Sequence, residues 1–209
     1  MNISKKHISS LIEKYPCLSK IEGHIVKATN AIIHAFKTNK KLLLVGNGGS
    51  ASDCDHIAGE LLKSFDLDRN INDLDLKKFD EELASNIQGS LPVIPLPNFT
   101  GFISAFNNDC NPNYCYAQLV YGLAQKGDVL LAISTSGNSI NIINALKIAR
   151  FKNCKTVLLT GNNGGNAKDF ADCNIIMPQK RTDKIQELHL PVYHTICLEL
   201  EEYFFSECI

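Results

Sequence analysis

Apolar residues in the first 38 positions recur at spacings of three and four: Ile8, Leu11, Ile12 and Tyr15, then Ile21, Ile25, Ala28, Ile32 and Phe36. That period predicts helices over 1–38. Pro16 divides them in two, because proline cannot donate the backbone bond a continuous helix needs. The pattern then changes. KLLLVG (41–46) is a short unbroken apolar run ending in glycine. LPVIPL (91–96), DVLLAIS (128–134) and KTVLLTG (155–161) resemble it, and NIIM (174–177) makes a fifth. Such runs suit strands covered on both faces of a parallel sheet. Between them, NSINIINALKIARF (138–151) places Ile142, Ala145, Leu146 and Ala149 on one helical face, and Asp183 to Phe205 reads as a long final helix. Strands alternating with helices predict an α/β fold: a doubly wound, five-stranded parallel sheet flanked by helices. In such sheets ligands bind beyond the carboxyl ends of the strands.

One segment breaks the alternation. DLDRNINDLDLKKFDEELASNIQGS (66–90) is acidic and polar and reads as a solvated surface insertion. The 209 residues otherwise read as one domain over 1–209, large enough to bury its own core. Lys plus Arg number 21 and Asp plus Glu 22, a net charge of −1 that argues against the basic face a nucleic-acid binder presents. The longest apolar runs are five or six residues, far short of a membrane span. No apolar stretch follows the first lysines of MNISKKHISSLIEKY, so it does not read as a secretion signal. Eight cysteines are scattered with no CxxC pair, which predicts reduced core thiols and a cytoplasmic protein.

Two strands end in the same chemistry. GNGGSAS follows the first and STSGNS (134–139) the third, each running through glycines and hydroxyls into a helix. Free N–H groups at a helix start, its positive dipole end and nearby hydroxyls suit a phosphate. Serines there also cap helices, but four hydroxyls within the six residues of STSGNS exceed what a cap requires. No lysine follows the glycines and neither turn completes GxGxxG, so neither a Walker loop nor a dinucleotide site is predicted.

His56 and Glu60 lie four apart on the helix opened by the first turn, hence on one face. Such a pair can share a metal, divide acid and base work, or simply belong to a solvated face. In the final helix, Gln186, His189 and His194 sit among apolar positions, where a buried, hydrogen-bonded histidine is the ordinary expectation. His7, His24 and His34 are read that way too.

GNGGSASDCDHIAGE, GDVLLAISTSGNS and DKIQELHLPVYH, in this order and spacing, resemble the phosphoheptose isomerases of the SIS (sugar isomerase) domain proteins over nearly the whole chain. The resemblance implies a five-stranded flavodoxin-like sandwich, a homotetramer with active sites at subunit interfaces, and one bound Zn2+ per subunit. It implies conversion of D-sedoheptulose 7-phosphate to D-glycero-D-manno-heptose 7-phosphate, toward the activated heptoses of bacterial surface glycans. By position, His56, Glu60, Gln186 and His194 match the metal ligands, and Glu60 and His194 the acid–base pair. Asn47, Gly48, Gly49, Ser50, Glu60, Asn98, Ser134, Thr135, Ser136, Ser139, Asp183 and Gln186 match substrate contacts, with the serines around the phosphate.

Gln186 and His194 on one straight helix stand about 12 Å apart along its axis, which favours a site completed at a subunit interface. Three departures from the family pattern bear on the sugar. Asn98 stands where many members carry Asp. Lys63 and Ser64 replace a Gly-Arg pair, leaving Lys63 or Arg69 to supply the missing cation. The 66–90 insertion follows directly. The alternatives are an isomerase of another sugar phosphate and a non-catalytic SIS protein that senses a sugar phosphate or assembles partners. Binding members of the family lose the carboxylate at 60 and the histidine at 194, whereas this chain keeps both.

Overall fold

The computed structural model describes residues 3–71 and 77–206. Cys208 and the middle of the 66–90 segment lie outside the described residues. Helices α1 (Lys6–Lys14) and α2 (Glu22–Lys37) are separated by a 3-10 turn over Pro16–Ile21. Strands β1 (Leu42–Gly46), β2 (Val93–Pro95), β3 (Val129–Ser134), β4 (Lys155–Thr160) and β5 (Cys173–Ile176) form one parallel sheet in the order β2-β1-β3-β4-β5. All five strands fall within a residue or two of the apolar runs. β2 is the shortest because Pro92 and Pro95 have no N–H for a ladder, which suits the sheet edge it occupies.

The helices divide between the two faces. Leu42, Leu44, Val129, Leu131 and Ile133 face α1, α2, α3 (Gly49–Leu62) and α8 (Thr182–Phe205), meeting Ile8, Ile25, Leu61 and Leu200. Leu43, Val45, Leu130 and Ala132 face α6 (Cys115–Leu123) and α7 (Ile140–Phe151), with α5 (Thr100–Asp109) contributing Phe102 and Phe106. Alternate residues of each strand therefore serve alternate layers, as the period of two requires. In the 66–90 segment, α4 (Glu81–Asn86) buries no residue and is capped by the Asp80 carboxylate, which accepts from the Leu83 N–H.

Two buried acids of α8 hold the remaining segments in place. Glu199 accepts bonds from the N–H groups of Lys5, His7 and Ile8, so it caps α1, whose own N-cap Lys5 makes no side-chain bond. Glu201, fully buried, accepts from the N–H groups of Phe65 and Asp66 at 2.8 Å and from Arg69 Nε at 2.7 Å. Burial alone would raise the Glu201 pKa; the Phe65, Asp66 and Arg69 donors outweigh it and hold the carboxyl below its ordinary value. Arg69 also donates to the carbonyls of Leu61 and Glu60. A buried guanidinium committed to these acceptors is unavailable to a ligand, which removes Arg69 as the replacement cation.

The histidines depart from expectation. His24 and His34 are exposed, because they lie off the α2 stripe formed by Ile25 and Ile32. His7 is half-buried and meets Glu202 at 2.6 Å. His189 is fully buried, yet neither ring nitrogen makes a hydrogen bond of normal geometry. Burial pushes its pKa down to about 4, the Thr160 backbone opposing.

Two outcomes follow. Glu201→Ala leaves Arg69 buried and uncompensated, so urea unfolding should show a loss of about 3–5 kcal/mol. Arg69→Met with Glu201→Met should recover part of it. A loss below about 1 kcal/mol in the single variant would mean that water reaches Arg69. The second outcome concerns pH. His189 has a folded pKa of about 4 against an ordinary 6.5, so the unfolded chain binds the extra proton between those values. Stability should then fall as pH drops from 6.5 toward 4, by on the order of 3 kcal/mol from this residue, and be indifferent to it above 6.5. His189→Leu should flatten that slope; parallel slopes for variant and wild type would refute the assignment.

Candidate active site

The strand order reverses between β1 and β3, which lie side by side with Gly46 opposite Ile133. Both glycine–hydroxyl turns leave from this switch point, where the sheet opens a crevice. Gly48, the N-cap of α3, has φ +55 and ψ −123, a conformation open to glycine and costly for other residues. In the second turn Gly137 has φ +64, and a Cβ there would lie 1.9 Å from the Gly164 carbonyl, because the loop after β4 closes onto it.

Neither α3 nor α7 has a side-chain cap, and Ser139, the N-cap of α7, makes no capping bond. The capping explanation therefore does not account for these hydroxyls. Ser136 is exposed, Thr135 and Ser139 half-buried, and Ser50 and Ser134 buried, while Asn47, Gly48 and Gly49 are open to solvent. Asn47 and Asn141 exchange a pair of amide bonds of 3.0 and 2.9 Å, tying the first turn to the start of α7.

Helix α8 runs alongside α3 in the same direction. The Gln186 amide nitrogen lies 2.9 Å from where a Cβ on Gly49 would sit, so glycine makes room for it. Further along, His194 meets His56, and further still Glu201 binds residues just past the end of α3. The eight-residue step from Gln186 to His194 is thus matched by the step from Gly49 to His56 and Glu60. A single chain lines the groove from the turn to the cluster.

The ligand atoms of His56, Glu60 and His194 lie within 4.8 Å of one another. His56 Nε2 is 3.1 Å from Glu60 Oε1 and 3.2 Å from His194 Nε2. Glu60 Oε2 is buried and has no hydrogen-bond partner, with Lys63 Nζ at 3.7 Å. An orphaned carboxylate oxygen beside two imidazole nitrogens calls for a cation. Nitrogen and oxygen donors in this number fit zinc. Burial, then the neighbouring His56, pushes His194 below the ordinary histidine pKa, against the pull of Glu60. His194 is half-buried beside His56 and Glu60, not the buried core residue its apolar neighbours predicted.

The other sequence candidates surround this groove. Asn98, at the end of the short helical turn after β2, donates to Asp55 Oδ1 at 2.5 Å. Asp183, in the first turn of α8, is exposed and paired with Arg181 at 2.8 Å. Lys63, exposed at the end of α3, is the remaining cation beside Glu60. Sequence reasoning passed over Asn141, Asp55, Asp53 and Tyr193. The Tyr193 hydroxyl stands 3.3 Å from Asp53 Oδ1 and 3.1 Å from His56 Nδ1. Asp53 is three before His56, and Tyr193 adjoins His194, so helical spacing was the signal available.

Comparisons with known proteins agree with this arrangement. Residues 103–198 match the SIS domain family. The phosphoheptose isomerase of Nitratiruptor sp. is 40% identical over 185 residues, covering 88% of this chain and 89% of that one. A solved phosphoheptose isomerase from Neisseria gonorrhoeae superposes with a TM-score of 0.73 at 29% identity, over 93% of this chain and 95% of that one. One from Francisella tularensis gives 0.77 at 26%, over 95% and 96%. With the sheet order, the two turns and the His–Glu–His cluster in place, the chain belongs to the phosphoheptose isomerase family, aldose–ketose isomerases built on the SIS domain.

Proposed function

We propose that this protein interconverts D-sedoheptulose 7-phosphate and D-glycero-D-manno-heptose 7-phosphate, feeding activated heptoses for bacterial surface glycans. The observation that carries the reading is the separation of the two ends of the groove. His56 follows Gly49 by seven residues, about 10 Å along the α3 axis. An open-chain heptose 7-phosphate has eight bonds between C1 and phosphorus, which at about 1.2 Å each along an extended chain also span about 10 Å. The Asn47–Asn141 amide pair ties the second turn to the first, so a phosphate held there leaves a chain of this length able to reach the cluster.

The roles follow from the chemistry. Ser134, Thr135, Ser136 and Ser139, with the helix start of α7, hold the phosphate. Asn47, Ser50, Asn98, Asp183 and Gln186 meet hydroxyls along the chain, and the open backbone of Gly48 and Gly49 lets the sugar approach. Glu60 takes the proton from C1 of the ketose and returns it to C2, while His194 moves the proton between the two oxygens. His56, Glu60 and His194 would hold the metal, with the Gln186 amide facing the same groove. When bound, the metal supplies Lewis acidity that polarises the carbonyl. Phosphate binding at the far end fixes the orientation of the reacting carbons.

A large apolar side chain stands in the open on the groove face of α8. Leu190, one turn from both Gln186 and His194 on α8, is 42% exposed, and the His56 side chain is 42% exposed. These support the homotetramer with shared sites, since a neighbouring subunit would cover them. Among the described residues no helix is long and apolar enough to cross a membrane. We place the reaction in the cytoplasm on the family's role in sugar-phosphate metabolism.

Glu60→Gln keeps shape and removes the base, so turnover should drop by roughly 10²–10⁴-fold. In heavy water the wild-type aldose should carry deuterium at C2, and the variant should give neither product nor exchange. Undiminished turnover in the variant would assign the proton to another residue. If the wild type isomerises no ketose phosphate tested, a sugar-phosphate-binding role takes its place. Ser136→Ala should weaken inorganic phosphate binding, read by calorimetry, about tenfold, a charge-assisted bond being worth roughly 1.5–3 kcal/mol. Equal affinity would move the phosphate off this turn.

A further inference from the structure

We propose that Asp53 and Tyr193 form a hydrogen-bonded chain that holds His56 with its proton on Nδ1, leaving the Nε2 lone pair turned toward Glu60 and His194. Both residues lie within the motifs that suggested the site, but neither was given a role there. Tyr193 is 1% exposed and is among the largest fully buried side chains, so its hydroxyl is set by core packing. That hydroxyl lies 3.3 Å from Asp53 Oδ1 and 3.1 Å from His56 Nδ1. The Tyr193 ring also meets the His56 ring edge-on at 5.6 Å and the His194 ring at 5.0 Å. One buried phenol therefore orients both imidazoles of the cluster.

The direction of the chain follows from counting protons. A phenol has one to give, and a carboxylate can only accept. If the Tyr193 proton points to Asp53, the second contact is made only when His56 Nδ1 carries a hydrogen and donates to the phenol oxygen. Both bonds are then satisfied, and His56 Nε2 is bare. The opposite arrangement sends the Tyr193 proton to Nδ1 and puts a hydrogen on Nε2 for Glu60. It leaves the Asp53 oxygen against the phenol oxygen with no proton between them, in a half-buried site where such a contact is costly. The first arrangement instead leaves the 3.1 Å contact between His56 Nε2 and Glu60 Oε1 without a proton, but that contact lies on the exposed side of His56, where the cost is lower, so the first arrangement wins. Burial raises the Tyr193 pKa far above its ordinary value, so the phenol keeps its proton throughout.

With Nε2 bare, His56 and the Glu60 carboxylate turn lone pairs toward a point that His194 also faces, the ligand atoms lying within 4.8 Å of one another. That is the state a divalent metal needs, since imidazole binds metal through an unprotonated nitrogen. The inference rests on the metal reading above, and its test separates the two.

Metal-free protein labelled with 15N-histidine, at a pH where histidines are neutral, reports the tautomer of His56 directly. Its signal is identified by its loss in His56→Gln. Wild type should show a protonated Nδ1 and a bare Nε2. In Tyr193→Phe, Glu60 becomes the remaining partner, so the proton should move to Nε2. Asp53→Ala should shift the balance the same way, covering the case in which Tyr193→Phe does not fold. Zinc affinity, read by competition with a chromophoric chelator, should fall 10–100-fold in both variants. A wild-type His56 found with its proton on Nε2 would overturn the proposal. So would a tautomer unchanged in Tyr193→Phe, even with weakened zinc binding, since that would reduce Tyr193 to a packing role. Should wild-type protein take up no zinc, the metal reading fails and the tautomer still decides the hydrogen-bonded chain.

Discussion

The site depends on the register between two parallel helices. α3 starts at the end of β1 and α8 starts after β5, and they descend together along one face of the sheet. Slide one against the other by a single residue and Gln186 leaves Gly49, Tyr193 leaves Asp53, and His194 turns away from His56. What prevents the slide is at the far end. Glu201 receives backbone N–H groups from the segment just past α3 together with the buried Arg69. A carboxylate that accepts several directed donors in a dry environment tolerates little displacement, because each lost bond leaves a buried polar group unpaired. Polar contacts at the base thus set the geometry of polar contacts at the groove.

The sheet supplies the other constraint. In the order β2-β1-β3-β4-β5 the chain turns back after β1, so the two strands with hydroxyl-rich ends become neighbours although nearly ninety residues separate them. The Asn47–Asn141 amide pair bridges the resulting crevice, and the loop carrying Gly164 and Gly165 closes under the second turn. Phosphate chemistry is therefore confined to one end of the α3–α8 groove and titratable chemistry to a place further along it. A substrate is measured by the distance between them.

Much of this was legible in the chain. The five strands show as unbroken apolar runs because parallel strands are covered on both faces, and the two turns show because each sets glycines and serines between an apolar run and a helix. The motif pairs His56–Glu60 and Gln186–His194 were readable too. Their relation was not. Measured along one helix, Gln186 and His194 looked too distant to cooperate, since spacing on a single helix carries no information about a second one running beside it. Arg69 was read as an open cation because an arginine in an acidic segment is usually solvated; its acid partner lies 132 residues away on α8. His24 and His34 were expected inside and are outside, since one step off an apolar stripe decides burial. Tyr193 looked like ordinary core, and by burial it is. Only its hydroxyl, aimed at His56, separates it from a phenylalanine.

Helix α8 shows how one element can serve fold and chemistry at once. Below Pro191 its acids are committed: Glu199 caps α1 and Glu201 anchors Arg69 and the chain past α3. Pro191 lacks an N–H, so it adds no donor at the midpoint, and the Thr195 hydroxyl bonds the Pro191 carbonyl instead. Above and around it lie groups left open: the Gln186 amide over Gly49, His189 without a hydrogen bond, and His194 against a carboxylate oxygen that has no partner. Unsatisfied polar groups weaken a fold, and a helix that left all its polar side chains so would not hold its place. Because the lower half is saturated with directed bonds, the upper half can keep donors and acceptors unpaired and still present them at fixed positions. That division is what lets a preorganised site exist before its ligands arrive.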